Sequence, residues 1–148
     1  MLRNAVRALI VLAALAMPAL AAEPPAAVRV PAAFRGNDVY LRVRLDGGAP
    51  VWMRFDVGVS ESSLAPAFAG GNSGSAARMT VRVGALTVPG VLFHLAKPPA
   101  GRAPDGGALA GRLGQDWLGT RMVELRYREH EVWMSEPVVP DPTTVAAR

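Results

Sequence analysis

One aspartate in the sequence stands where its carboxylate could carry out a reaction. In WMRFDVGVSESSLAP, residues 52–66, a run of strand-like apolar residues stops at Asp56, turns through Gly58 and continues into small polar residues such as Ser60. An apolar strand is an unfavourable place for a carboxylate, because removing the ion from water without a partner is costly. Asp56 therefore either marks the point where the strand reaches water or is held there for catalysis.

General acid–base catalysis is the chemistry that such a carboxylate offers. Gly58 permits close approach of the backbone and Ser60 supplies a hydroxyl, so the turn could hold the aspartate among several donors. A single carboxylate cannot act as base and acid at the same moment. Two carboxylates a few ångström apart can, because their like charges make them share one proton. One of the pair then activates a water molecule while the other protonates a substrate carbonyl.

Other reaction classes find little support in the sequence. His94 and His130 are the only histidines, and neither has the spacing to nearby carboxylates that a metal site needs. The lack of cysteine excludes disulfides, thiolate nucleophiles and cysteine-based metal sites. The segments GVSES and GNSGS miss the G-x-S-x-G pattern of serine hydrolases, and the glycine-rich loop lacks the lysine of a phosphate-binding loop. We therefore expect neither a metal nor a cofactor.

The first 21 residues have the pattern of a cleaved secretory signal peptide. Arg3 and Arg7 form a basic start, ALIVLAALAM is an apolar stretch too short to cross a bilayer comfortably, and ALA at residues 19–21 is a small-x-small cleavage signal. The alternative is an uncleaved membrane anchor. Cleavage after Ala21 would leave one domain with no stable membrane span, in the periplasm or outside the cell.

The formal net charge of +4 does not indicate a nucleic-acid partner. Two of the 16 basic residues lie in the leader, so 14 basic residues face 12 acidic ones in the remainder of the chain. The arginines alternate with apolar residues instead of forming a block, which is typical of the solvated face of a sheet. Aromatic residues are few and are not interleaved with basic ones, so a surface on which bases stack is not expected.

The elements that must position Asp56 are short strands, because hydrophobicity alternates with a period of two. Three hairpins are predicted: VYLRVRL to VWMRFD with DGG as the turn, MTVRVG to ALTVPGVLFHLA with turns at Gly84 and at Pro89–Gly90, and RMVELRY to EVWMSE with a turn near residues 128–130. SSLAPAFA is at most a short helical turn. Many short strands without a long amphipathic helix predict an all-β barrel or sandwich.

The domain boundaries follow from changes in composition. Residues 1–21 are the signal peptide, and residues 22–37 form a linker and a first strand. The folded domain is expected over residues 38–136. The proline-broken sequence PVVPDPTTVAAR, residues 137–148, is expected to be a flexible tail because it has little to bury.

The order of these elements resembles that of a bacterial retropepsin-like aspartic protease of the single-domain type. Members of that family have a hairpin, a strand that ends in Asp-Thr/Ser-Gly-Ala/Ser, a second hairpin with a glycine turn, a hydrophobic-Leu-Gly-x-Asp-x-Leu segment and a closing hairpin. This chain presents the same series from Asp38 to Glu136, with DVGV at residues 56–59 and LGQDWL at residues 113–118. The combination is more specific than either motif alone.

The resemblance implies a fold and a set of site residues. The implied fold is an all-β, retropepsin-like half-barrel of short strands and hairpins with at most one or two short helices. Asp56 takes the place of the catalytic aspartate. The implied active-site loop consists of Val57, Gly58, Val59 and Ser60, and the implied structural support consists of Leu113, Gly114 and Asp116.

The resemblance also implies an assembly and a substrate. Because one chain carries one such aspartate, the implied enzyme is a homodimer in which Asp56 and its symmetry mate form the dyad across a two-fold axis. Its substrates would be peptides or unfolded proteins, without a cofactor. Asp116 would cap or orient a turn. The loop GGNSGSAA, residues 70–77, is the nearest candidate for a mobile cover over the site.

Two residues depart from the family motif. Val57 stands where the family has Thr or Ser, whose hydroxyl binds the opposite loop across the dimer axis, and Val59 adds bulk where Ala or Ser is usual. These departures favour an alternative hypothesis, a catalytically silent peptide-binding or interaction module of the same fold. A third hypothesis is a small β-domain unrelated to proteases, in which Asp56 would have no partner carboxylate.

Overall fold

The computed structural model describes residues 26–72 and 74–136. The predicted signal peptide, the first residues of the predicted linker and the predicted tail lie outside the described residues. Within the described ranges, no helix is long and apolar enough to cross a membrane.

The described part of the chain contains ten strands and two 3₁₀ helices. The strands are β1 (Ala27–Val30), β2 (Ala32–Arg35), β3 (Asp38–Leu45), β4 (Val51–Phe55), β5 (Ser63–Leu64), β6 (Ala76–Val83), β7 (Leu86–Leu95), β8 (Gly111–Leu113), β9 (Val123–Arg126) and β10 (Glu131–Ser135). The 3₁₀ helices are η1 (Pro66–Phe68) and η2 (Gln115–Trp117). The predicted all-β class with at most two short helices is confirmed.

Six of the strands close into a barrel. Their order is β3-β4-β8-β5-β7-β6, and β3 pairs back to β6 through Leu45 opposite Val81. Alternation along β3 places Val43 inside the barrel and Arg44 outside, as the period of two predicts. The closing contacts are short, because β3 pairs with β6 over two residues and β5 pairs with β7 over two.

A parallel pairing inside the barrel determines where the site lies. β8 runs parallel to β4, with Phe55 opposite Leu113, and antiparallel to β5. Parallel strands end at the same edge of a sheet, so the residues that follow β4 and β8, Asp56 and Gly114, emerge side by side. The approach of β5 depends on Gly111, because a Cβ there would stand 2.1 Å from the Ser63 carbonyl oxygen.

The chain ends of the described region form a second sheet of three strands, in the order β1-β10-β9. β1 pairs antiparallel with β10, and β10 pairs with β9 in the closing hairpin, which turns at residues 127–130 as predicted. The range 22–37, assigned from sequence to a linker and a first strand, contains β1 and β2 in its described part. Val30 and Val132 join this sheet to the core of the barrel.

One predicted turn is wrong. Gly84 does turn the chain between β6 and β7, with a φ of +58°, but Pro89 and Gly90 lie within β7, which continues to Leu95. The strand register shifts between Met79 and Val81, so the proline and glycine are accommodated as a bulge instead of ending the strand. Gly90 takes the left-handed φ of +67° that such an irregularity requires.

Candidate active site

Asp56 is the first residue after β4, and its backbone N–H donates to the Leu113 carbonyl at 3.0 Å. Its side chain is 31% exposed. Oδ1 accepts a hydrogen bond from the Gly58 N–H at 3.0 Å. A Cβ on Gly58 would stand 3.1 Å from that oxygen, so the absence of a side chain lets the turn pack closely against the carboxylate. The carboxylate is therefore oriented by its own loop while part of it faces solvent.

The loop that follows Asp56 rests on the segment that follows β8. Gln115 donates its backbone N–H to the Val59 carbonyl at 2.9 Å and its side-chain Nε2 to the Val57 carbonyl at 2.7 Å. The next residue, Asp116, donates its N–H to the Ser60 carbonyl at 3.1 Å. These bonds fix the backbone of the predicted active-site loop from beneath.

The buried hydroxyl of Ser62 also links the Asp56 loop to the segment that follows β8. Ser62 is fully buried, and its Oγ donates to Asp116 Oδ1 at 2.6 Å and accepts from the Gly114 N–H at 2.9 Å. Asp116 Oδ1 also accepts from the Trp117 N–H at 2.9 Å, and its Oδ2 accepts from the Ser62 N–H at 3.0 Å. Gly114 packs so closely that a Cβ would stand 2.7 Å from the carbonyl oxygen of Glu61. The carboxylate of Asp116 is occupied in holding the two segments together.

The predicted supporting residues thus lie together under the loop. Leu113 is fully buried in the main core cluster, and Gly114, not Asp116, is the N-cap residue of η2. Asp116 therefore does not cap this turn in the strict sense. It connects η2 to Ser62, a residue that sequence reasoning did not single out, because nothing in the spacing of SESS shows which serine points inward.

An arginine that sequence reasoning also missed lies beside Asp56. Nε of Arg112 is 3.8 Å from Asp56 Oδ2, close enough for ionic attraction and too far for a hydrogen bond. The parallel register explains the contact, because Arg112 pairs with Arg54, and residues 54 and 56 point to the same face of the sheet. The Nε atom is buried and has no hydrogen-bond partner among the described residues.

Two shallow grooves flank Asp56. The first, named here the Arg112 groove, is lined by Arg112, His94, Glu61 and the loop residues 58–60. His94 Nε2 lies 3.5 Å from Glu61 Oε2 across it. The candidate carboxylate thus borders a groove whose walls carry the Arg112 guanidinium and the His94–Glu61 contact.

The second groove, named here the Tyr127 groove, is lined by Asp56 itself, Val57, Tyr127 and the Arg54–Asp38 ion pair, among others. Val57 is 48% exposed and Tyr127 is 50% exposed, which are high fractions for large apolar side chains. Behind this groove, burial raises the pKa of Tyr40, and the nearby Asp38 carboxylate raises it further. Tyr40 therefore keeps its proton and remains a donor toward Asp38.

Two other sequence expectations concern a cover and a metal. The last residues of the predicted cover, Ala76 and Ala77, begin β6, and no described residue of that loop lines either groove. Within residues 26–72 and 74–136, no group of three or more His, Cys, Asp or Glu residues is arranged to hold a metal ion.

The similarity to a solved structure identifies the fold. The chain resembles the crystal structure of a retropepsin-like aspartic protease from Rickettsia conorii, with a TM-score of 0.50 and 13% sequence identity, over 75% of this chain and 91% of that one. The chain has a retropepsin-like fold. At this identity the similarity shows the fold alone. No protein-family model matches the chain, and no curated protein is similar to it at a significant level.

In this retropepsin-like fold, the Ser62–Asp116 contact should be a main source of local stability. Removing the hydroxyl by Ser62→Ala leaves the buried Gly114 N–H without an acceptor, and Asp116→Asn turns an acceptor oxygen into a donor that faces other donors. We expect each variant to lose about 1–3 kcal/mol of unfolding free energy, measured by urea denaturation. Glu129→Gln, a change at an exposed position, is the control. A loss below about 0.5 kcal/mol in both variants would contradict this role.

Proposed function

We propose that the protein is an exported aspartic endopeptidase that acts as a homodimer, with Asp56 of each chain forming the dyad. The observation that supports it most strongly is the position of Asp56 in a retropepsin-like fold. The Gly58 N–H orients the Asp56 carboxylate, and residues 113–116 fix its loop from beneath. Part of the Asp56 side chain remains exposed to solvent. A structural aspartate would instead have its carboxylate filled by donors, as that of Asp116 is.

The proposed reaction needs both carboxylates at once. The ionised member of the dyad takes a proton from water as the water oxygen bonds to the carbonyl carbon of the scissile peptide. The protonated member gives its proton to the carbonyl oxygen, which produces a neutral tetrahedral intermediate. The carboxyl that took the proton from water then gives it to the nitrogen, while the other, now ionised, takes the proton of one hydroxyl of the intermediate. The C–N bond breaks, a carboxylic acid and an amine leave, and the dyad again holds one proton. One molecule of water is consumed for each bond cleaved.

The second carboxylate is proposed to come from a second copy of the chain. Val57 places an exposed apolar side chain directly beside Asp56. Within the described residues β9 pairs only with β10, so its other edge is open, and the exposed side chains of Met122 and Tyr127 lie just beyond its two ends. An open strand edge with apolar neighbours is a ready surface for pairing with another chain. Tyr127 and Val57 line the same groove, so this surface reaches the candidate site.

A catalytically silent peptide-binding module is the second candidate function. Two observations favour it: Val57 has no hydroxyl to bind the opposite loop, and the Arg112 guanidinium stands 3.8 Å from the Asp56 carboxylate. A carboxylate engaged by a neighbouring cation is less available to water. The fold similarity favours these two candidates over the third hypothesis, a β-domain unrelated to proteases.

Replacing the candidate catalytic carboxylate tests the proposal. We expect the protein without its leader to cleave unfolded or peptide substrates at acidic to mildly acidic pH and to be inhibited by pepstatin. Asp56→Asn should lower kcat/KM by about 10²- to 10⁴-fold, because the amide can neither activate water nor share a proton. The control is Asp105→Asn, the same exchange on an exposed loop residue. Full activity in Asp56→Asn, or no cleavage by the unmodified chain, would contradict the proposal.

Restoring the missing hydroxyl distinguishes the two candidate functions. Val57→Thr keeps the shape of the side chain and supplies a donor and acceptor at the proposed two-fold axis. Because an unpaired buried polar group costs about 1–3 kcal/mol, we expect the dimer dissociation constant in sedimentation to fall by about tenfold or more. Val57→Ala, which adds no hydroxyl, is the control and should not tighten the dimer. A tighter Val57→Thr dimer without proteolysis would support the silent module.

A further inference from the structure

The Arg112 side chain has a buried hydrogen-bond donor that lacks an acceptor among the described residues. Its Nε is buried and has no partner among the described residues, and the nearest acidic atom, Asp56 Oδ2, is at 3.8 Å. Leaving a buried donor unpaired costs free energy, and more so when the donor is charged. The guanidinium is therefore a candidate group for binding a ligand.

The position of Arg112 defines where such a ligand would bind. The side chain is 33% exposed and lines the Arg112 groove, which begins at the loop residues that follow Asp56. A group bound there would lie next to the carboxylate proposed to activate the water molecule. A guanidinium presents parallel N–H donors that match the two oxygens of a carboxylate.

The charge balance of the proposed dimer also favours an acidic ligand. Two aspartates that share one proton carry a single negative charge, while the two Arg112 side chains carry two positive charges. Glu61, which also lines the groove, is 69% exposed to solvent, so water screens its charge from the centre. The dyad and the two guanidinium groups together thus carry one net positive charge, which an additional carboxylate can neutralise.

We propose that Arg112 determines specificity by binding the side-chain carboxylate of a Glu or Asp residue next to the scissile bond of a peptide substrate. This inference rests on the proposed peptidase function and names its substrate class. Arg112 is not assigned a step in bond cleavage. Its role is to select peptides and to place them against Asp56.

Matched peptides test the specificity directly. Two peptides that differ only in Glu or Gln beside the scissile bond are compared with the unmodified chain, Arg112→Gln, Arg112→Lys and the control Arg82→Gln, an exposed arginine outside the groove. We expect the unmodified chain and Arg82→Gln to prefer the Glu peptide by about tenfold or more in kcat/KM. Arg112→Gln should abolish the preference. Arg112→Lys should keep part of it, because the positive charge remains while the parallel N–H donors of the guanidinium are lost. Thermal melting identifies any variant that does not fold.

A binding measurement distinguishes failure of this inference from failure of the proposed function. The Asp56→Asn variant, with and without Arg112→Gln, is titrated with the fluorescently labelled Glu and Gln peptides by anisotropy. We expect the Glu peptide to bind about tenfold more tightly than the Gln peptide to Asp56→Asn, and equally when Arg112→Gln is added. If the Glu peptide binds more tightly but the unmodified chain cleaves neither peptide, the proposed peptidase function is wrong and the proposed role of Arg112 in binding is supported. Cleavage without a Glu preference, a preference that survives Arg112→Gln, or no binding of either peptide would overturn the subsite.

Discussion

The parallel pairing of β4 with β8 is the constraint on which the candidate site depends. It brings Asp56 and Gly114 to the same edge of the barrel, although 57 residues separate them in the sequence numbering. The absence of a side chain at Gly111 lets β5 close on the other side of β8. Once these three strands are in register, the backbone bonds from residues 115 and 116 to the Asp56 loop follow from their geometry. The rigidity of the loop is thus a property of the barrel.

Four polar side chains at this edge, those of Ser62, Asp116, Asp56 and Arg112, divide into two kinds. Those of Ser62 and Asp116 are satisfied by one another and by backbone N–H groups, so they hold the structure together. Those of Asp56 and Arg112 are incompletely satisfied and face grooves. Folded proteins pair most of their buried polar groups, so a cluster of unmet donors and acceptors beside a cleft is a reasonable place to expect ligand chemistry.

The sequence predicts where the strands of this fold lie better than it predicts which strands pair with one another. Alternation in VYLRVRL identifies β3 and its buried face because the period of two is a local property. Pro89 and Gly90 were misleading, since a bulge and a turn use the same residues and only the partner strand distinguishes them. Asp56 could be found because it ends a strand. Arg112 could not, because its contact with Asp56 depends on the register of two strands that are far apart in sequence.

The central claim is that one site contains the Asp56 of two chains, and subunit mixing tests it most directly. Unmodified and Asp56→Asn chains are mixed at constant total concentration, allowed to exchange, and assayed for peptide cleavage. If both aspartates are required, activity follows the square of the unmodified fraction, so an equal mixture keeps about one quarter of full activity. A linear dependence, in which an equal mixture keeps about one half, would show that each chain acts alone and would contradict the shared dyad.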